Sequence, residues 1–222
     1  MTLFDRLREA AADPWRDYCH HPFVSGLADG SLPKAAFQHY LTQDYLFLIQ
    51  FARAYALAAF KADTLEDMRA AATTMSALIH IEMRLHVEYC AGWGLDETAM
   101  AAASEAMETT AYTRFVLDCG QRGDVLDLLV ALVPCIVGYA EIGARLGSDA
   151  ATKRNGNPYL PWIEMYAGAE YQEVSEAART QLDRLGVARG ADARFAALAE
   201  TFAQATRLEI DFWEMGWRVG AS

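Results

Sequence analysis

The chain has 222 residues, 53% of them hydrophobic, and its 19 Lys and Arg against 30 Asp and Glu leave a net charge of −11. That is enough apolar material for one sizeable core, and no Pro/Gly/Ser-rich or low-complexity stretch divides it, so residues 1–222 are expected to form a single domain. With no basic run longer than Lys153-Arg154, nucleic acid and anionic membrane are poor partners, and abundant helix formers with few β-branched runs make the expected class all-α, a multi-helical bundle.

A first helix is predicted from Thr2, with Leu3, Phe4 and Leu7 on one face, to about Pro14, and a second short segment runs through Cys19. Asp17 and His20 make a lone D-x-x-H, which reads as a surface pair. A turn is expected from Gly26 to Gly30. Pro33 then suits the first position of a long helix to about Lys61, whose apolar stripe is Phe37, Tyr40, Leu41, Phe47, Leu48 and Phe51. Asp44 lies inside that stripe, where a carboxylate is desolvated unless something bonds it. Such a position favours a functional site over a structural anchor.

Thr64 and Asp67 give a capping-box-like start to a helix reaching Gly92, which carries His80, Glu82, His86 and Glu88. Glu82 and His86 are one turn apart, a spacing that suits an ion pair or a supporting network as well as a ligand pair. Di-iron bundles use E-x-x-H twice, and that motif is absent, so no metal is expected. Asp96 can cap the next helix, which passes Tyr112, Phe115, Val116 and Leu117 before Gly120 and Gly123 end it.

Asp124 caps the central helix, whose middle, Leu128 to Ala140, is apolar on every side, as a helix in the heart of a bundle is. This uncharged run of 13 residues is shorter than the roughly 20 that span a membrane. Pro134 removes an amide hydrogen from the helix, frees the carbonyl of Val130 and is expected to kink it. Cys135 follows, with Tyr139 one turn on, so a thiol and a phenol share the face where a kink opens a gap. The segment from Ser148 to Asn157 is polar. Helix restarts across Pro158, Pro161 and Trp162, bends near Ala167 and Gly168, and runs on from Ala169 to Leu185. A last helix, Asp192 to Trp217, has the stripe Phe195, Leu198, Phe202, Ala205, Glu209, Phe212 and Trp213. Glu209 interrupts it as Asp44 interrupts its own. Two carboxylates on buried stripes and a thiol at a proline are more than packing asks for.

The four cysteines, Cys19, Cys90, Cys119 and Cys135, show no CxxC or Cys/His metal spacing, and the first residues have no signal-type apolar core. A reduced, cytoplasmic setting is therefore expected.

The run from Val133 through Pro134, Cys135 and Tyr139 to Gly143 resembles the cysteine motif of the TenA family, the thiaminase II type aminopyrimidine aminohydrolases. The likeness extends to Gln43-Asp44 and Phe47, to the helix from His80 to Glu88, to Ala111-Tyr112, to the stretch from Pro158 to Tyr166, and to Leu208-Glu209 through Met215. The resemblance implies a haem-oxygenase-like helical fold without haem, a homotetramer, no cofactor and a small pyrimidine as partner. It implies hydrolysis of 4-amino-5-aminomethyl-2-methylpyrimidine, or of thiamin, to hydroxymethylpyrimidine in thiamin salvage. Carried over residue by residue, Cys135 becomes the nucleophile, Glu209 the acid/base and Asp44 the group that holds the exocyclic amine, while Phe47, Tyr112, Tyr139 and Tyr166 line the substrate.

Two departures bear on substrate choice: Phe47 where the family often has tyrosine, and Val137 where it often has a bulky aromatic ring. A less polar wall there is expected to favour an aminomethyl arm over a thiazolium. Two other readings compete. A metal-dependent oxidase on the same fold would depend on His80, Glu82 or His86, and a non-catalytic aminopyrimidine-binding or regulatory protein would be indifferent to the loss of Cys135.

Overall fold

The computed structural model describes residues 1–220, and helices account for the regular structure throughout, with no strand among them. In chain order these are α1 (Leu3–Ala10), α2 (Ala12–Cys19), α3 (Pro22–Asp29), α4 (Lys34–Lys61), α5 (Leu65–Ala77), α6 (Met83–Gly92), α7 (Glu97–Ala102), α8 (Met107–Arg122), α9 (Val125–Ser148), α10 (Leu160–Ala167), α11 (Ala169–Ala188) and α12 (Phe195–Gly220).

The helix boundaries follow local chemistry. Thr2 and Asp5 form a capping box on α1, and Asp124 and Asp127 form another on α9, each satisfying orphan amides that the first turn leaves unbonded. Three expectations are corrected. The Gly26 to Gly30 turn is instead the second half of α3, because Pro22 starts that helix early and only Gly30, at φ 76°, takes the left-handed conformation that ends it. Pro33 is the N-cap of α4, one position before the helix proper. The helix predicted to run unbroken to Gly92 passes through a π turn, Leu78–Glu82, where the amide of Met83 bonds the carbonyl of Leu78 five residues back.

α9 is the axis of the bundle. It packs against α8, α10, α11 and α12, while α4 packs against α5, α8 and α12. By length and hydropathy α9 could cross a membrane, but 83% of its most apolar stretch is buried inside the protein. It is a core helix. At one end of this axis an aromatic layer surrounds Trp213, whose ring lies 5.0 Å from Phe23, 5.3 Å from Tyr40 and 5.2 Å from Tyr139. Rings at these spacings and tilts fill volume with well-defined geometry, which is what a small-molecule site needs behind it.

Gly138 sets the depth of that layer. A Cβ there would stand 2.1 Å from Cε1 of Tyr18 and 2.7 Å from its hydroxyl. Gly138→Ala is therefore expected to lower Tm by about 4–10 °C, on the order of 1–3 kcal/mol of overpacking. An unchanged melting curve would show that Tyr18 can swing aside freely.

Candidate active site

Between Leu128 and Ala140 every residue of α9 is buried except Cys135, which keeps intermediate exposure. A partly exposed side chain in the middle of a bundle's central helix means that an open space abuts it, on the face that Pro134 and Cys135 share with Tyr139. Cys19, Cys90 and Cys119 are buried and, like Cys135, unpaired.

Glu209 of α12 sits beside this thiol, 1% exposed. Tyr112 of α8 donates its hydroxyl hydrogen to Glu209 Oε1 at 2.8 Å, and the Cys135 thiol is close enough to act on the carboxyl's proton affinity. Burial pushes the Glu209 pKa up to about 8, with the Tyr112 hydrogen bond opposing the rise and the Asp44 charge adding to it. At neutral pH Glu209 is thus largely a carboxylic acid, able to give a proton. Burial, followed by the charges of Glu209, Asp44 and Glu82, holds the Cys135 thiol well above the usual thiol range. At rest it is a neutral thiol, and nothing around it favours a thiolate before substrate arrives.

Asp44 of α4 is 9% exposed and faces α6. Burial raises its pKa to about 7. Its Oδ2 lies 3.5 Å from Nδ1 of His86, whose Nε2 lies 3.0 Å from the Leu41 carbonyl. That second contact assigns the ring hydrogen to Nε2 and leaves Nδ1 with its lone pair toward Asp44. Burial lowers the His86 pKa, partly offset by the Leu41 bond. Both shifts favour neutral partners, so the pair carries one shared proton more readily than two opposite charges.

Asp44 and His86 belong to the wall of a cavity of about 280 Å³, with Glu82, Tyr166, Tyr171 and Trp162 around them and Glu170 toward the outside. Of the predicted site residues the structure brings Asp44 and Tyr166 to this wall, and gathers Cys135, Glu209, Tyr112 and Tyr139 in the layer behind it. Tyr139 packs on Tyr166 at 4.9 Å and joins the two groups. Phe47 is further back, with its ring 5.2 Å from Tyr112 and 5.7 Å from Phe212, and Val137 is 3% exposed in the core. Neither faces the cavity. Cys135 and Glu209 lie off that wall too, and the wall that meets solvent carries Glu82 and Glu170.

Two participants were not legible as site residues in the sequence. Tyr18, from α2, brings its hydroxyl to the Glu209 carboxyl yet completes no hydrogen bond of good geometry and is left buried and unpaired. Tyr40, from α4, receives the Trp162 indole hydrogen at 3.3 Å. The one signal for Tyr18 was a glycine, Gly138, in the middle of an apolar helix, which marks a close approach without naming what approaches. Asp17 and His20 stay outside the site, Asp17 bonded to Arg16. No group of three or more His, Cys, Asp and Glu side chains is arranged to hold a metal ion among the described residues.

The all-helical bundle thus places a thiol, a protonated carboxyl and a second carboxyl near one aromatic-walled space. The chain belongs to the TENA/THI-4/PQQC family, whose profile matches residues 8–219. It is 37% identical to the aminopyrimidine aminohydrolase of Halalkalibacterium halodurans over 219 residues, 98% of this chain and 96% of that one. A TenA family protein from Silicibacter sp. TM1040, described as a transcription regulator, superposes with a TM-score of 0.90 at 46% identity, covering 97% of this chain and 96% of the other. The fold alone is shared with a Shewanella denitrificans domain described as heme oxygenase-like, at a TM-score of 0.73 and 14% identity over 97% of this chain and 92% of that domain.

Proposed function

We propose that the chain hydrolyses the C–N bond joining a methylene arm to position 5 of a 4-aminopyrimidine, with 4-amino-5-aminomethyl-2-methylpyrimidine as substrate and hydroxymethylpyrimidine as product for thiamin salvage, and thiamin as a second substrate. The observation that carries this reading is the pairing of Cys135, partly exposed in a buried helix, with a Glu209 that burial keeps protonated.

The chemistry uses each group once. Asp44 accepts from the exocyclic amine and discriminates an amino ring from a keto ring. Glu209 gives its proton to the ring nitrogen and takes the proton of the Cys135 thiol as sulfur adds to the adjacent ring carbon, so its own state is unchanged. The ring nitrogen pair then expels the arm, the C–N bonding pair leaving on the arm nitrogen with a proton. Water adds to the exposed methylene, and sulfur departs as the ring is restored. Covalent addition divides one difficult displacement into two easier steps. The resting thiol needs no standing charge, because its proton leaves only when the ring is present to receive one.

The name aminopyrimidine aminohydrolase borne by the Halalkalibacterium relative supports this reading. The regulator reading has less behind it, since a net charge of −11 opposes binding to nucleic acid phosphates. The expected homotetramer belongs to the same proposal and is supported by exposed Leu65, Met68 and Ile79 along α5 and the π turn; sedimentation reads it directly. The enzyme incubated with the aminomethylpyrimidine is expected to release hydroxymethylpyrimidine and ammonia in equal amounts, and with thiamin to release the same pyrimidine. Tight binding of the pyrimidine with no product would overturn the hydrolase in favour of a binding protein.

A further inference from the structure

The cavity wall holds a carboxylate that has no task in that hydrolysis. Glu82 ends the π turn before α6 and has no hydrogen bond or ion pair among the described residues. By contrast Glu88, two turns on, lies 3.9 Å from Arg84 on the outer face. The wider π ring sets Glu82 on the wall, with His86 one turn further on and Asp44 across from them, in apolar company: Ile81, Leu85 and Met165. Single π turns recur at functional sites because they re-aim side chains within a helix. Glu82 is exposed to solvent at the cavity wall, on the same side as Asp44 and His86.

The pyrimidine ring itself says what would lie beside it. If Asp44 holds the amine on C4 and Cys135 adds at C6, then C5, which bears the arm, lies between them. Glu82 shares the cavity wall with Asp44 and His86, and its charge, with that of Asp44, bears on the Cys135 thiol. We infer that Glu82 is the catalytic acid of the arm: it shares a proton with the arm nitrogen and leaves that proton on nitrogen when the C–N bond breaks. This rests on the aminopyrimidine hydrolase reading.

In the step itself the bonding pair goes to nitrogen, the Glu82 proton goes with it, and ammonia and the Glu82 carboxylate result. The carboxylate then takes a proton from the water that adds to the methylene, which forms the hydroxymethyl group and restores the acid. Burial and the Asp44 charge push the Glu82 pKa up to about 7, suited to both directions of transfer near neutrality. A thiazolium arm has a different need. It departs as a neutral thiazole and takes no proton.

The two kinds of arm therefore give the test. Glu82→Gln keeps the shape of the side chain, and kcat for the aminomethylpyrimidine is expected to fall about 100-fold or more, the range for a lost general acid. For thiamin, and for a 5-pyridiniomethyl analogue that also leaves without a proton, kcat is expected to stay within about threefold. Loss of a cavity charge can raise KM for any of these cationic arms, so kcat is the quantity compared. Glu88→Gln, which removes a charge from the same helix on its outer face, is expected to leave the ratio of the two kcat values unaltered. An equal loss of kcat on both kinds of arm, or a loss on neither, would overturn the assignment to Glu82 and leave the hydrolase reading standing. A wild-type enzyme that turns over neither arm would overturn the hydrolase reading, and this proposal with it.

Discussion

Cys135→Ser is expected to lower turnover on the order of 10³-fold or more and to leave thermal unfolding within a degree or two. The size follows from what the site provides. A thiol that burial and three carboxyl groups hold above its usual pKa range is activated by transferring its proton as it attacks; a serine hydroxyl has a far higher pKa and gives a harder, poorer nucleophile at the same geometry. The substitution is nearly isosteric and the position keeps some free space, so packing loses little. Alkylation offers an independent check. Iodoacetamide is expected to inactivate the wild type slowly at pH 7 and faster with each step toward pH 9 without levelling off, since no thiolate fraction exists to saturate, and bound substrate is expected to protect. A serine variant with wild-type rates would remove the covalent route altogether.

The second large effect joins activity to stability at Glu209 and Asp44. Glu209→Gln is expected to lower kcat by about 10²–10³-fold, because an amide cannot pass a proton between sulfur and ring nitrogen, and Asp44→Asn to lower kcat/KM by a comparable factor through lost recognition. Both variants are expected to unfold at the same or a higher temperature than the wild type. The sign follows from linkage. Each carboxyl has a folded pKa, about 8 for Glu209 and about 7 for Asp44, above its ordinary unfolded value. The folded state therefore binds more protons than the unfolded state between about pH 4 and pH 8, and stability falls as pH rises through that window. Below the unfolded pKa there is no penalty; above the folded pKa it is fully present. Tm of the wild type is expected to decline from pH 5 to pH 8.5, and that of each variant to decline less, the curves meeting near pH 5. Glutamine can still accept the Tyr112 hydroxyl hydrogen, so the layer keeps its bond. If either variant instead melts several degrees lower at every pH, that carboxyl is a structural anchor and the functional assignment is wrong for it.

Much of the helix architecture is written in local chemistry. Thr2 and Asp124 cap α1 and α9 as side chains of their type do, the polar segment from Ser148 to Asn157 separates α9 from the restart at α10, and Asp44 and Glu209 stand out because period alone puts them among apolar neighbours. Local rules fail where the deciding contact is remote or where two rules compete. A glycine in α3 reads as a turn until Pro22 is seen to start a helix through it. The π turn leaves no mark in periodicity, since one inserted residue shifts the phase only of the residues after it.

The sequence by itself determined the class and the central helix and singled out Cys135, Glu209 and Asp44, the three groups proposed to react, because each stands out by residue type and by spacing within one helix. Only the tertiary structure decided how they are protonated and what surrounds them: that Glu209 is bonded by Tyr112, that Asp44 faces His86, that Tyr18 rests on Gly138, that Phe47 and Val137 lie off the cavity wall, and that Glu82 lies on it. These depend on burial and on contacts between helices far apart in the chain. Desolvation, which sets every one of the shifted pKa values in the site, arises only when those helices close around the groups.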